Sequence, residues 1–121
     1  MTTTQILLGL GLGVVTGVLA ALCGVGGGLI MVPAFVFLMA LDQKSAVATS
    51  LAVIIAVSLV ATAKYSAASL VKWQVVLPVM LGAVVTTWLA TDWLKHLSND
   101  TLTRIFAILM IVVGIRMLWV K

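Results

Sequence analysis

The sequence predicts an all-α integral membrane protein. Of its 121 residues, 64% are hydrophobic and only 8% are charged, and the mean hydropathy is +1.32. A soluble domain usually carries about a quarter of its residues as charged side chains, so this chain cannot cover a water-facing surface. The charged residues also cluster between long apolar runs instead of following helical faces, which is typical of a multi-pass membrane protein.

Five apolar runs follow one another along a single transmembrane domain, residues 1–121. Four of them approach the ~20 residues that a helix needs to cross the hydrocarbon core, whereas the second would reach only about 20 Å as a helix. We therefore expect a bundle of four long transmembrane segments and one short broken or re-entrant helix. The expected helices cover about 5–23, 29–41, 46–64, 74–92 and 102–119.

Local signals bound each of these runs. The first run ends at the glycines that follow Cys23, and the short second run ends before the polar segment 42–45, after which the third begins. Trp73 and Trp93 frame the fourth run, as expected where aromatic side chains lie at the membrane interface. Ser98 offers a hydroxyl that can cap the start of the fifth run.

The segment Gly24-Val25-Gly26-Gly27-Gly28 is the first candidate for a functional site. Four glycines in five positions should end a helix, because glycine loses the most backbone entropy on ordering. A helix break inside hydrocarbon leaves peptide groups without partners, so it persists only where protein covers it or where it lines a cavity. A new helix that starts near Gly28 would point bare N–H groups and a positive dipole end at an anion. A bend that serves packing alone is an equally good interpretation of the glycines.

Two further features accompany the break. Thr49 and Ser50 lie near the start of the third run, where their hydroxyls could contact a substrate, although capping and helix-to-helix hydrogen bonds are commoner roles. Pro33 is expected to shape the short helix.

Small residues recur four apart along the first run, at Gly9, Gly13, Gly17 and Ala21. They share one helical face, and small residues let helix backbones approach closely in lipid. This stripe predicts tight contact between the first helix and another backbone.

Several classes of function are disfavoured. No nucleophile–base pair and no cluster of metal ligands can be assembled, so we expect neither an enzyme nor a metal or cofactor site. No basic stripe on a soluble fold points to nucleic acid. The chain has no Glu, and Asp42, Asp92 and Asp100 fall in the connections. It therefore lacks the mid-membrane carboxylate that proton-coupled cation exporters use.

Three sequence features occur in order along the chain: the glycine run 24–28 with Pro33, the run 46–51 (Ala-Val-Ala-Thr-Ser-Leu), and Lys72-Trp73 before the next span. In these features the chain resembles the TauE/SafE sulfite-exporter family of membrane transporters. The resemblance implies transport of a small anion, such as sulfite, another sulfur oxoanion or an organosulfonate, across the cytoplasmic membrane. The substrate would be held by Gly26, Gly27, Gly28, Thr49 and Ser50, and Gly24 and Pro33 would be structural.

Members of this family are usually about twice as long, with two related halves that each carry the glycine motif. This chain has one copy, which corresponds to one repeat of a two-repeat transporter. The resemblance thus implies that a homodimer or a second half-length subunit completes the path. The alternatives are a membrane scaffold or assembly subunit that transports nothing, and a small cation exporter that works as a dimer.

Overall fold

The computed structural model describes residues 2–120, and they form five α-helices with no strand. The helices are α1 (Thr3–Cys23), α2 (Gly28–Leu38), α3 (Gln43–Ala67), α4 (Trp73–Leu94) and α5 (Asn99–Trp119). Four of them are long and apolar enough to cross a membrane, and α2 is the short one. The expected fold class is confirmed, with helix ends that differ from the expected ones by up to three residues.

Side-chain caps fix three of the helix starts. Thr2 caps α1 in a reciprocal capping box with Gln5, and Ser98 accepts the N–H of Thr101 at the start of α5. Asp42 caps α3 by accepting the N–H of Ser45 at 3.3 Å. Hydrogen bonds from Ser45 lower the pKa of Asp42, so its carboxylate stays charged to a lower pH than that of an unbonded aspartate.

Helices α1 and α3 run in the same direction, and α2 runs back between them. The start of α2 lies beside Thr16 of α1, and the residue after α2, Met39, reaches Gly9 near the beginning of α1. At the other end, the Tyr65 hydroxyl of α3 donates to the carbonyl of Ala21 at 2.7 Å. We call the membrane side where α1 and α3 begin the first face, and the side where they end the second face.

Helices α4 and α5 complete the chain and run in opposite directions. α4 starts at the second face, directly after the loop that follows α3, and its end returns to the first face. There the Lys44 ammonium donates to the carbonyl of Lys95 at 2.9 Å, and the Lys44 N–H donates to Asn99 Oδ1 at 3.2 Å. These bonds place the start of α3 against the connection between α4 and α5.

The short helix α2 lies at the centre of the small core. Its Met31, Val32 and Phe35 are buried together with Ala46 of α3, and Phe106 of α5 packs against this cluster. α4 and α5 contain no buried residue. Their apolar surfaces, like the outer face of α1, are open to lipid or to another protein subunit.

The stripe of small residues on α1 does not make the predicted close contact within residues 2–120. A Cβ added at Gly13 or Gly17 would meet no atom within 4 Å, and one added at Gly9 would meet only the Met39 methyl group. Within the described residues, α2 crosses α1 beside Thr16 and not along the glycine face, so a close contact of this stripe with the backbone of another chain stays a prediction.

The helix directions predict where a membrane-impermeant thiol reagent can react. Cysteines placed at Ala40 and at His96, in the Cys23→Ser background, should react from the first face, and one placed at Ser69 should react only from the opposite face. The measurement is labelling of sealed vesicles of one orientation, before and after permeabilisation. If the cysteines at Ser69 and His96 were labelled from the same side, α4 would not cross the membrane.

Candidate functional site

Three glycines make the chain turn between α1 and α2, at residues 24–27, which we call the break. Gly24, Gly26 and Gly27 have φ angles of +68°, +66° and +75°, a region that other residues enter only at a cost. Gly24 ends α1 by donating its N–H to Ala20, and Gly27 precedes α2. The sequence-based prediction of a helix break here is confirmed.

The peptide groups at the start of α2 are only partly satisfied. The N–H groups of Ile30 and Met31 donate to the carbonyl of Gly27 at 3.1 and 2.9 Å. Within the described residues, the N–H groups of Gly26, Gly27 and Gly28 donate to no backbone carbonyl. This is the ordinary state of a helix N-terminus, where the first N–H groups lack intrahelical partners and the dipole is positive.

The start of α2 lies near the middle of the membrane. A Cβ built on Gly26 or Gly28 would touch the Ile54 side chain at 2.9 Å, and Ile54 lies next to the midpoint of the membrane-spanning helix α3. From there α2 runs for 11 residues, about 16 Å, to the first face. It therefore crosses about half of the hydrocarbon thickness, with its positive end at mid-depth.

Two sides of the break are closed by direct packing. A Cβ on Gly27 would lie 2.9 Å from the Thr16 carbonyl oxygen of α1 and 3.0 Å from the Thr16 Cβ. The Ile54 side chain covers Gly26 and Gly28 from α3. The Thr16 hydroxyl donates to the carbonyls of Leu12 and Gly13 in its own helix, so it adds no donor to the break. Neither side leaves room for a ligand.

A cavity of about 270 Å³ opens on a third side of the break. We call it the break cavity. It reaches from Gly26 at mid-depth to the second face, where Val71 and Trp73 border it. Its other lining residues come from the end of α1, from α3 and from α4: Ala20, Gly24, Val57, Ser58, Ala61, Thr62, Tyr65 and Val76.

The hydroxyl side chains of the break cavity all come from one face of α3. Ser58, Thr62 and Tyr65 follow Ile54 at helical spacing. Sequence reasoning missed these three hydroxyl residues. The signal that could have found them is their spacing from Ile54, since residues three and four apart share a helix face. The spacing identifies these residues only if it is already known that Ile54 contacts the glycines of the break.

The structure separates the two predicted hydroxyl residues from the break cavity. Ser50 is buried, and its hydroxyl donates to the Val47 carbonyl at 2.8 Å. It shares a face with Ala46 and Ile54, so it points toward α2 one turn closer to the first face. Thr49 is exposed. Neither residue lines the break cavity. A contact of either residue with substrate stays a prediction.

Pro33 lies inside α2, half-buried next to Val32. Proline has no N–H to donate to the carbonyl four residues earlier, so the Leu29 carbonyl loses its usual helical partner. The helix nevertheless continues to Leu38.

The chain is similar to a family of membrane proteins and to several proteins named as probable membrane transporters. The family model described as Sulfite exporter TauE/SafE matches residues 2–117. A probable membrane transporter protein from Xylella fastidiosa (strain Temecula1) is 29% identical over 88% of this chain and 41% of its own length. The probable membrane transporter protein YunE of Bacillus subtilis is 30% identical over 95% of this chain and 42% of its own length.

A third relative, a probable membrane transporter protein from Haemophilus influenzae, is 28% identical over 94% of this chain and 46% of its own length. The chain thus spans less than half the length of the curated relatives it matches. No solved structure matches the chain.

The packing around the break predicts unequal effects of alanine at two glycines. Gly24→Ala and Gly27→Ala share the conformational cost of a positive φ, about 1–2 kcal/mol. Gly27→Ala should lose about 1–3 kcal/mol more, because its methyl group would collide with the Thr16 backbone, whereas nothing lies within 4 Å of a Cβ at Gly24. Thermal unfolding of both variants in detergent measures the difference. Equal losses would show that Thr16 does not cover Gly27.

Proposed function

This chain belongs to the sulfite exporter TauE/SafE family, and we propose that it is a transporter subunit for a small anion. The family and the four apolar helices make it a multi-pass membrane protein of a transporter family. Because the chain spans less than half of its relatives' length, its activity and substrate are part of the proposal. The substrates we propose are sulfite, another sulfur oxoanion or an organosulfonate.

One observation carries the proposal: α2 begins at mid-depth and borders the break cavity through Gly26. Substrate sites of secondary transporters lie near the bilayer midplane, where the N-terminus of a half-helix faces anionic substrate groups. The predicted substrate residues Gly26, Gly27 and Gly28 form this N-terminus.

The chemistry of the break cavity suits an anion. The free N–H of Gly26 and the hydroxyls of Ser58 and Thr62 can donate hydrogen bonds, and no acidic side chain is among the lining residues. Ser58 and Thr62 are exposed in this single chain, and in the low-dielectric interior of a membrane such donors would hold a negative charge far better than donors in water. A volume of about 270 Å³ is several times the ~30 Å³ that a water occupies in the liquid, so an oxoanion fits. Rocking of one half of the transporter against the other would then give alternating access.

The open faces of α1, α4 and α5 support a second half, supplied by another copy of this chain or by a separate subunit. Gly13, Gly82 and Gly114 lie on three different helices, and within residues 2–120 a Cβ on any of them would meet no neighbouring element within 4 Å. Small residues at open positions are where transmembrane helices approach closely. The homodimer or second half-length subunit that the resemblance implies would pack on these faces.

A specific observation also favours the scaffold alternative. Ile54 and Thr16 fill the space beside Gly26, Gly27 and Gly28, so these glycines have a packing role whether or not the protein transports anything. The two functions differ in ligand dependence: a scaffold would gain no thermal stability from any anion, whereas a transporter subunit would gain it from its substrate.

Removal of the two cavity hydroxyls should weaken anion binding. Each hydrogen bond to a charged group contributes about 1.5–3 kcal/mol, so Ser58→Ala and Thr62→Ala should each raise the sulfite concentration that gives half-maximal stabilisation by about ten-fold or more. Thermal unfolding during a sulfite titration, with chloride as the reference anion, is the measurement. Thr49→Ala and Ser50→Ala test the two hydroxyl residues predicted from the sequence. Because neither lines the break cavity, their effect on this concentration should be smaller than that of Ser58→Ala or Thr62→Ala. If only Thr49→Ala and Ser50→Ala weakened sulfite binding, the anion site would lie at the start of α3 and not in the break cavity.

Leucine at an open glycine should disrupt association without unfolding the chain. Within residues 2–120, a Cβ at Gly13 would meet no neighbouring element within 4 Å, so Gly13→Leu should leave the helical content unchanged while the oligomer dissociates. Light scattering coupled to size-exclusion chromatography in detergent, with circular dichroism in parallel, measures both. An unchanged oligomer would exclude this face of α1 from the subunit interface.

A further inference from the structure

The two membrane faces of the protein differ in their balance of charge. The first face carries Lys44, Lys95 and Arg104 together with all three acidic residues of the chain, Asp42, Asp92 and Asp100. The second face, as far as residue 120, carries Lys64, Lys72 and Arg116 and no acidic residue. The first face is therefore close to neutral, and the second is uniformly positive.

The break cavity ends at this positive face. Val71 and Trp73, on either side of Lys72, line its outer end, and so does Tyr65, the neighbour of Lys64. Lys64 and Lys72 are both exposed, and neither forms an ion pair within the described residues. The one ion pair there, Lys95–Asp92, belongs to the first face.

We propose that Lys64 and Lys72 form a positively charged mouth that collects small anions from water at the second face. This inference deepens the proposed function, because such a mouth is useful only to a cavity that takes an anion. Unpaired charges around a cleft with low-dielectric walls raise the local concentration of counter-ions. The mouth makes the second face the side from which the anion reaches the break cavity, and it attracts anions by charge, not by shape.

Headgroup anchoring is the competing role for these lysines. A lysine near a helix end commonly extends to the interface and pairs with lipid phosphate. A lysine neutralised in this way would not enrich dissolved anions near Trp73. The two roles therefore predict different anion concentrations at the same tryptophan.

Trp73 is a built-in probe of the mouth, and Trp93 at the first face is its matched control. A variant that keeps only Trp73, and another that keeps only Trp93, would be placed in neutral phosphatidylcholine nanodiscs. For each tryptophan, the quenching constant of iodide is divided by the quenching constant of neutral acrylamide. This ratio corrects for the accessibility of the side chain. At low ionic strength this ratio should be higher for Trp73 than for Trp93. Lys72→Gln and Lys64→Gln should each lower it at Trp73 by about two-fold.

Two controls separate a local potential from a change of structure. About 1 M salt should abolish the difference between the two tryptophans, because the Debye length then falls to ~3 Å. Lys95→Gln, at the first face, should leave the ratio at Trp73 unchanged. Equal ratios at both tryptophans, or a Trp73 ratio that both lysine variants leave unchanged, would overturn the proposal. Sulfite takes no part in these measurements, so failure of the mouth is distinguishable from failure of the sulfite titration.

Discussion

The structure depends on one constraint: a helix that starts inside a membrane must have its first peptide groups covered or bound. No water is available in the hydrocarbon core, and each unsatisfied polar group there costs several kcal/mol. Helix α2 starts at the depth of Ile54, next to the midpoint of α3. Everything around the break follows from this position, including the left-handed glycines that make the turn and the close approach of α1 and α3.

The neighbouring helices divide the space around the break. Thr16 and Ile54 exclude water and lipid from two sides by direct packing, which accounts for the glycine requirement at Gly27 without any ligand. The third side is different, because Gly26 borders a cavity that is also lined by the hydroxyl residues Ser58, Thr62 and Tyr65. Packing thus explains the closed sides of the break, and the donors of its open side suit an anion.

The sequence predicted the parts of this structure that depend on composition and local pattern. Hydropathy predicted the five helices, and the glycine run predicted the break. Both features can be recognised from contiguous residues. The hydroxyl residues of the cavity were not predicted. Thr49 and Ser50 belong to the run 46–51 that carries the family resemblance, whereas Ser58 and Thr62, further along α3, border the cavity. Which turn of α3 faces the glycines is decided by how far α2 runs back between α1 and α3, and no local pattern encodes that distance. The small-residue stripe of α1 shows the same limit, since its pattern predicts a close contact but not with which partner.

The most direct test of the central claim, that an anion binds at the start of α2, is to observe the glycine amides during a titration. In protein labelled with ¹⁵N-glycine and placed in lipid nanodiscs, sulfite should shift the amide resonance of Gly26, whose N–H has no backbone acceptor within the described residues. The amides of Gly11 and Gly114, inside α1 and α5, serve as internal references and should not move. An unmoved Gly26 at saturating sulfite, or equal shifts at all three glycines, would contradict the claim and leave the break with a packing role alone.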